Sequence, residues 1–231
     1  MLTFKNGVTN AYLLPLDEGY LLIDTGYAHT LEGFLHALSR HGIAPDEIRY
    51  LLLTHHHDDH AGFAAAWRRA HPTPIIAHRA ARAPLAQGAN DTTPGGCMIT
   101  RRIAFLLRLK QLLAPGWDLS FPPVTLDEGD QLVAGDDDTR LRHLGLPARI
   151  LSTPGNTKDS ISVLLDNGTC FCGDAAMSWP LMAGIRYCGL FTTDVPQTYA
   201  SWRRLIAAGA QTIYPAHGRP FPIRKLAENL D

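Results

Sequence analysis

Short apolar runs separated by turn-forming clusters organise this chain, and the period of those runs changes along it. Residues 11–14 and 20–23 are apolar and flank Pro15-Leu16-Asp17-Glu18-Gly19, which reads as two strands around a turn. Residues 30–41 switch to a helical period, with Leu31, Phe34, Leu35 and Leu38 on one face and Gly42 as the stop. A strand at 50–53, a helix at 61–70, a strand at 74–77 and a short helix at 79–85 follow. The second half is strand-rich, at 131–133, 140–144, 150–152, 161–165 and 169–172, with a hairpin signal at Asp166-Asn167-Gly168. Helices are expected at 196–208 and 223–230. Strands in both halves with helices between them predict an α/β chain of two facing sheets covered by helices. No repeat or linker interrupts the pattern, so residues 1–231 read as one domain.

Two stretches stand outside that core. Residues 87–123 begin with a loop, Asn90-Asp91-Thr92-Thr93-Pro94-Gly95-Gly96, and continue at 98–113 as a helical pattern of leucines and isoleucines mixed with arginines. That helix has three readings: a lid over a cleft, a helix packed on the domain or on a second copy in a homodimer, or a basic amphipathic helix touching a membrane. The second stretch, 177–193, carries Trp179, Met182, Tyr187 and Phe191. Tyr187 is a candidate for hydrogen-bonding a substrate carbonyl, or a core tyrosine.

Composition narrows the class. Lys plus Arg total 21 against 22 Asp plus Glu, a net charge of −1, which removes the electrostatic case for nucleic acid. The first seven residues contain no apolar stretch of a secretory signal, and no segment is apolar enough to insert stably in a bilayer. Cys97, Cys170, Cys172 and Cys188 lack a C-x-x-C spacing, and Cys170 and Cys172 share one strand face. A reducing, cytoplasmic setting is expected.

The chemistry is concentrated in Thr54-His55-His56-His57-Asp58-Asp59-His60-Ala61-Gly62, between the apolar strand 50–53 and a helix start. Residues two apart in an extended segment point the same way, so His55 and His57 can share one metal. The chain then turns into the helix, and Asp59 and His60 can face a second ion. Imidazole nitrogen and carboxylate oxygen suit zinc, iron and manganese. Partners follow in order. Phe171-Cys172-Gly173-Asp174 ends an apolar run with an acid, and Ile213-Tyr214-Pro215-Ala216-His217-Gly218 ends another with a histidine.

On these motifs, together with Leu22-Ile23-Asp24-Thr25-Gly26, the chain resembles the metallo-β-lactamase superfamily of metal-dependent hydrolases over roughly residues 20–218. The resemblance implies a four-layer αββα sandwich of two mixed β-sheets. It implies metal ligation by His55, His57, Asp59, His60, Asp174 and His217, with Asp174 available to bridge. Asp24 would hydrogen-bond beside the metal loop and orient the ligands, or simply cap the Thr25-Gly26 turn. Insertions at the position of residues 87–123 cover the metal cleft in related hydrolases.

One ligand departs from the family pattern. Thr153-Pro154-Gly155-Asn156-Thr157 places Asn156 where the family carries a histidine. An amide oxygen is neutral and less basic than imidazole, and it suits hard cations better than zinc or iron. An asymmetric centre follows: Asp59, His60 and His217 hold metal tightly, whereas His55, His57 and Asn156 hold it weakly. His78 and His143 could substitute for the missing histidine, but neither occupies a family ligand position, and a surface or strand place is expected for each.

The expected activity is hydrolysis of a small-molecule ester, thioester or lactone with an apolar acyl part, by a metal-bound hydroxide held on one or two zinc ions, with iron or manganese as alternatives. Asp59 or Asp174 would hold and deprotonate the water in a one-metal centre. Rival readings are an iron-dependent sulfur dioxygenase, a phosphodiesterase, or a low-turnover ligand-sensing relative.

Overall fold

The computed structural model describes residues 1–90, 119–179, 184 and 186–230. Eleven strands among them form two sheets. In the first, β1 (Leu2–Asn6), β2 (Thr9–Pro15), β3 (Tyr20–Ile23), β4 (Ile48–Leu52), β5 (Ile75–His78) and β6 (Gln131–Val133) lie in chain order. The β1–β2 and β2–β3 pairs are antiparallel and the rest parallel. The second sheet runs β11 (Phe221–Pro222), β10 (Thr212–Pro215), β9 (Thr169–Gly173), β8 (Ile161–Leu165), β7 (Ala148–Ser152). Only β9–β10 is parallel there. Both sheets are mixed, as the αββα expectation requires.

Strand alternation produces the layers, because successive side chains point to opposite faces. Tyr12, Leu14, Leu21, Ile23, Leu52 and Ile76 of the first sheet meet Ile150, Ile161, Val163 and Phe171 of the second in the central core. Their neighbours Leu13, Leu22 and Leu51 point outward. There they meet Phe34 and Leu38 of α1 (Leu31–Arg40), Trp67 of α3 (Ala64–Ala70) and Leu85 of α4 (Arg82–Gln87). On the far side Leu164, Cys170, Cys172 and Ile213 pack on Trp202 and Leu205 of α6 (Val195–Ala207) and on Leu226 of α7 (Arg224–Ala227). Trp67 and Trp202 are fully buried, and truncating either to alanine would cost about 3–5 kcal/mol.

Several elements differ from the sequence reading. Residues 140–144, expected as a strand, form the helical turn α5 (Arg140–His143). Leu141 and Leu144 form a helical i, i+3 pair that would fall on opposite faces of a strand, and the Asp137 carboxylate accepts the Thr139 and Arg140 N–H groups at its start. The expected helix at 61–70 is split, with α2 (Asp58–Ala61) ahead of α3. At Gly62 a Cβ would lie 2.6 Å from both the Gly26 carbonyl oxygen and the Ala28 nitrogen, so the chain passes close against the loop after β3. The final helix is short, and β1 had no counterpart among the expected strands.

The expected lid helix at 98–113 lies outside the described residues. The flanks of that segment are paired: Ala89 bridges Ser120, Asn90 N–H donates to Leu119 O at 3.0 Å and Phe121 N–H to Gly88 O at 2.8 Å. No helix among the described residues is long and apolar enough to cross a membrane.

Candidate metal centre

Both sheets deliver their functional residues from strand ends at one edge of the sandwich. Asp24 follows β3, the His55–His60 run follows β4, Asn156 follows β7, Asp174 follows β9 and His217 follows β10. The sheets approach so closely here that a Cβ on Gly173 would lie 2.5 Å from Thr54 Oγ1, and Gly173 also adopts φ +53°. Ile161 N–H reaches across to Thr54 O at 2.9 Å.

Two trios of ligand atoms result. His55, His60 and Asp174 form one, and Asp59, His60 and His217 the other, with the atoms of each trio within 4.8 Å of one another. His217 Nε2 lies 3.0 Å from Asp59 Oδ2 and 3.3 Å from Asp174 Oδ1. His60 Nε2 lies 3.5 Å from Asp174 Oδ1 and 3.7 Å from Asp59 Oδ2. All five are buried.

Further contacts aim these atoms. Asp24, at φ +60°, accepts the Thr54 N–H at 2.8 Å, the Thr54 hydroxyl at 2.8 Å and His60 Nδ1–H at 2.8 Å. That leaves His60 Nε2 turned inward. His217 Nδ1–H donates to Val8 O at 3.1 Å, which aims its Nε2 the same way. The Thr9 hydroxyl donates to Asp59 Oδ2 at 2.8 Å. Trp202 Nε1–H holds the Ala175 carbonyl, beside Asp174, at 2.6 Å. Val8 and Thr9 belong to the β1–β2 hairpin, and sequence reasoning missed both. The Asn6-Gly7 pair, a hairpin signal, was the available clue.

The inward atoms fit a cation. His55 Nε2, His57 Nε2, His60 Nε2, Asp174 Oδ1 and both side-chain atoms of Asn156 are buried without a hydrogen-bond partner. Such atoms are rare in native proteins unless an ion or water satisfies them. Burial first, and then the neighbouring imidazoles, hold His55 far below its ordinary pKa; burial brings His57 down to about 4. Both imidazoles are therefore neutral and free to ligate at neutral pH. Burial opposes protonation of His217, yet the Asp174 and Asp59 carboxylates raise it to about 9. Burial likewise opposes ionisation of Asp59 and Asp174, but His60 and His217 hold both below the usual carboxylate range.

Asn156 is fully buried, and a Cβ on Gly189 would lie 3.1 Å from its Nδ2 and 3.2 Å from Asp174 O, so its amide adjoins the Asp174 segment. His56, unassigned from sequence, bonds Asp159 through Nδ1 at 2.8 Å and ties the metal loop to the Asn156 loop. His78 Nδ1 accepts the Ala80 N–H at 3.2 Å, and His143 is exposed on α5; neither joins a trio. Tyr187, the candidate substrate donor, has its ring 4.6 Å from that of Phe221 and packs half-buried against the outer core. Cys170 and Cys172 pack in that same core.

Comparisons with known proteins agree with the fold. A family model described as the metallo-beta-lactamase superfamily matches residues 5–217. TTHA1623 in a di-iron-bound form is 22% identical with a TM-score of 0.66, covering 98% of this chain and 96% of that one. A Cronobacter sakazakii metallo-beta-lactamase with a HARLDQ motif is 24% identical with a TM-score of 0.62, covering 91% of this chain and 72% of that one. ST1585 from Sulfolobus tokodaii, an archaeal metallo-beta-lactamase superfamily protein, is 18% identical with a TM-score of 0.61, covering 96% and 79%.

Proposed function

Because the chain belongs to the metallo-beta-lactamase superfamily, we propose that it is a metal-dependent hydrolase of small-molecule esters, thioesters or lactones with an apolar acyl part. The observation that carries this reading is the set of buried, unpartnered imidazole and carboxylate atoms converging from both sheets. Asp59, His60, His217 and Asp174 would hold one ion; His55, His57 and Asn156 would complete a second, weaker position. Zinc fits the nitrogen-rich set, and iron is the alternative that the di-iron form of TTHA1623 suggests. A divalent metal held there would bring the pKa of a coordinated water near neutrality and polarise the scissile carbonyl.

The chain's own residues do the remaining work. Asp174 Oδ1 and Asp59 Oδ2 lie beside both His60 and His217 and are the acceptors for the proton of the attacking water. The apolar preference rests on the rim. The exposed large hydrophobic side chains among the described residues are Met1, Val8, Trp179 and Phe191. Three of these four flank the cluster. Val8 carries the carbonyl that holds His217, and Trp179 follows Ser178, whose N–H donates to His217 O. Phe191 lies between Gly189, which adjoins Asn156, and Thr193, whose N–H donates to Asn156 O. The buried free thiols of Cys170 and Cys172 support a reducing compartment.

The test is metal analysis of untreated protein together with an ester, thioester, lactone and phosphodiester panel. Expected are one to two equivalents of metal and cleavage of acyl substrates. Metal without turnover on any of them would favour the ligand-sensing reading, which the Asn156 departure motivates.

A further inference from the structure

Among the described residues, acceptors crowd the cleft and donors are scarce. Asp58, Asp59 and Asp174 are carboxylates, and His55 and His57 present bare Nε2 atoms. Nearby donors are committed: Thr9 to Asp59, Thr54 to Asp24, and the Asn90 amide to Asp58. Two are not. One is the Asn156 amide, fully buried; the other is the phenol of half-buried Tyr27.

Packing places Tyr27 beside the cluster. The backbone on either side of it, at Gly26 and Ala28, lies directly against Gly62 at the end of α2, the turn that carries Asp59 and His60. Its ring edge covers Gly7, where a Cβ would sit 3.4 Å from Tyr27 Cδ2. Gly7 opens the turn whose Val8 carbonyl aims His217 and whose Thr9 hydroxyl aims Asp59. One turn therefore touches Tyr27 and two of the inward-facing side chains. Burial first, and then the Asp59, Asp58 and Asp174 carboxylates, push the phenol far above its ordinary pKa, so it remains an O–H donor at working pH. No hydrogen bond among the described residues uses that hydroxyl.

We propose that Tyr27 is a catalytic residue of this cleft, donating its phenolic O–H to the substrate carbonyl oxygen, a bond that strengthens as negative charge develops there. This rests on the hydrolase reading and adds a donor beside the acceptor-rich cluster. A neutral donor at the cleft suits a neutral carbonyl substrate, since it carries no full charge to desolvate.

The test compares metal-loaded parent protein with Tyr27→Phe, which keeps the ring over Gly7 and removes only the hydroxyl. On the best ester, thioester or lactone, kcat should fall about 10- to 100-fold with KM changed less than about twofold. Metal equivalents and melting temperature should stay at parental values. Parental kcat/KM in Tyr27→Phe overturns the proposal. Loss of metal overturns it as well, because the phenol would then act through the cluster and not on the substrate. If the parent cleaves none of these substrates, the hydrolase reading has failed and binding decides Tyr27 separately. Phenylphosphonate, a tetrahedral oxyanion that hydrolysis does not consume, is titrated calorimetrically into both metal-loaded proteins. Binding about tenfold weaker in Tyr27→Phe supports a ligand-facing donor, and equal affinity overturns it.

Discussion

On the Asp59–His60–His217 side of the cluster, each side chain has a second partner that sets its direction: Thr9, Asp24 and Val8. On the His55–His57–Asn156 side the support thins. His55 Nδ1 lies 3.2 Å from Thr54 Oγ1, no hydrogen bond among the described residues aims the His57 ring, and neither end of the Asn156 amide has a partner. Both sides are equally buried, so burial does not distinguish them. What differs is preorganisation. A ligand already fixed by its outer hydrogen bond loses little freedom when a cation arrives, and such outer partners raise ligand basicity. The comparison therefore predicts a steep difference in affinity between two positions that share one pocket.

The largest effect should come from His60→Ala, since His60 belongs to both trios. Metal affinity should fall on the order of a hundred- to a thousandfold, read by competition with a chromophoric chelator. Retention of parental affinity would dissolve the distinction between the sides.

Acidity comes next. In the metal-free protein His217 titrates at about 9, so below that pH a proton occupies the nitrogen a cation needs. Each bound metal must displace it, together with the proton that the Asp59, Asp24 and Asp174 carboxylates favour on His60, so affinity should rise at least tenfold per pH unit up to about 9. Calorimetry in buffers of different ionisation enthalpy should register the released proton near pH 7. An affinity flat between pH 7 and 9 would contradict this.

Asp24→Asn keeps a side chain tolerant of the φ +60° backbone but weakens the carboxylate grip on His60. The expected loss is about 10- to 100-fold in affinity at the supported side, with little change at the other. Asn156→His runs the comparison backwards. It should improve retention of the second equivalent about tenfold during dialysis, narrowing the gap between the sides. Unchanged stoichiometry would mean the side chain at 156 does not reach the cation.

How much of this was legible in the sequence follows from the same contrast. His55, His57, Asp59 and His60 sit within six residues, and Asp174 and His217 each end an apolar strand, so residue type and spacing announce their convergence. The supporting contacts are less visible. Val8 acts through a backbone carbonyl that every residue possesses, and Thr9 through a hydroxyl found all along the chain. Tyr27 is placed by loop packing that no periodicity encodes. The layers of the fold were readable because alternation and helical period are strong in the core strands and α1. Residues 140–144 were misread because five residues are too few to fix a period, although Leu141 and Leu144 stand at the helical i, i+3 spacing.

The β1–β2 hairpin aims Asp59 and His217, yet Asn10 within it is held by the backbone of Pro215, Ala216 and Gly218, over 200 residues later. During synthesis the pocket thus stays an open purse until its drawstring, the strand before His217, has emerged from the ribosome. Cation uptake becomes a finishing step rather than a nucleus for folding, and the half-made chain has no complete trap for whichever ion the cell offers first.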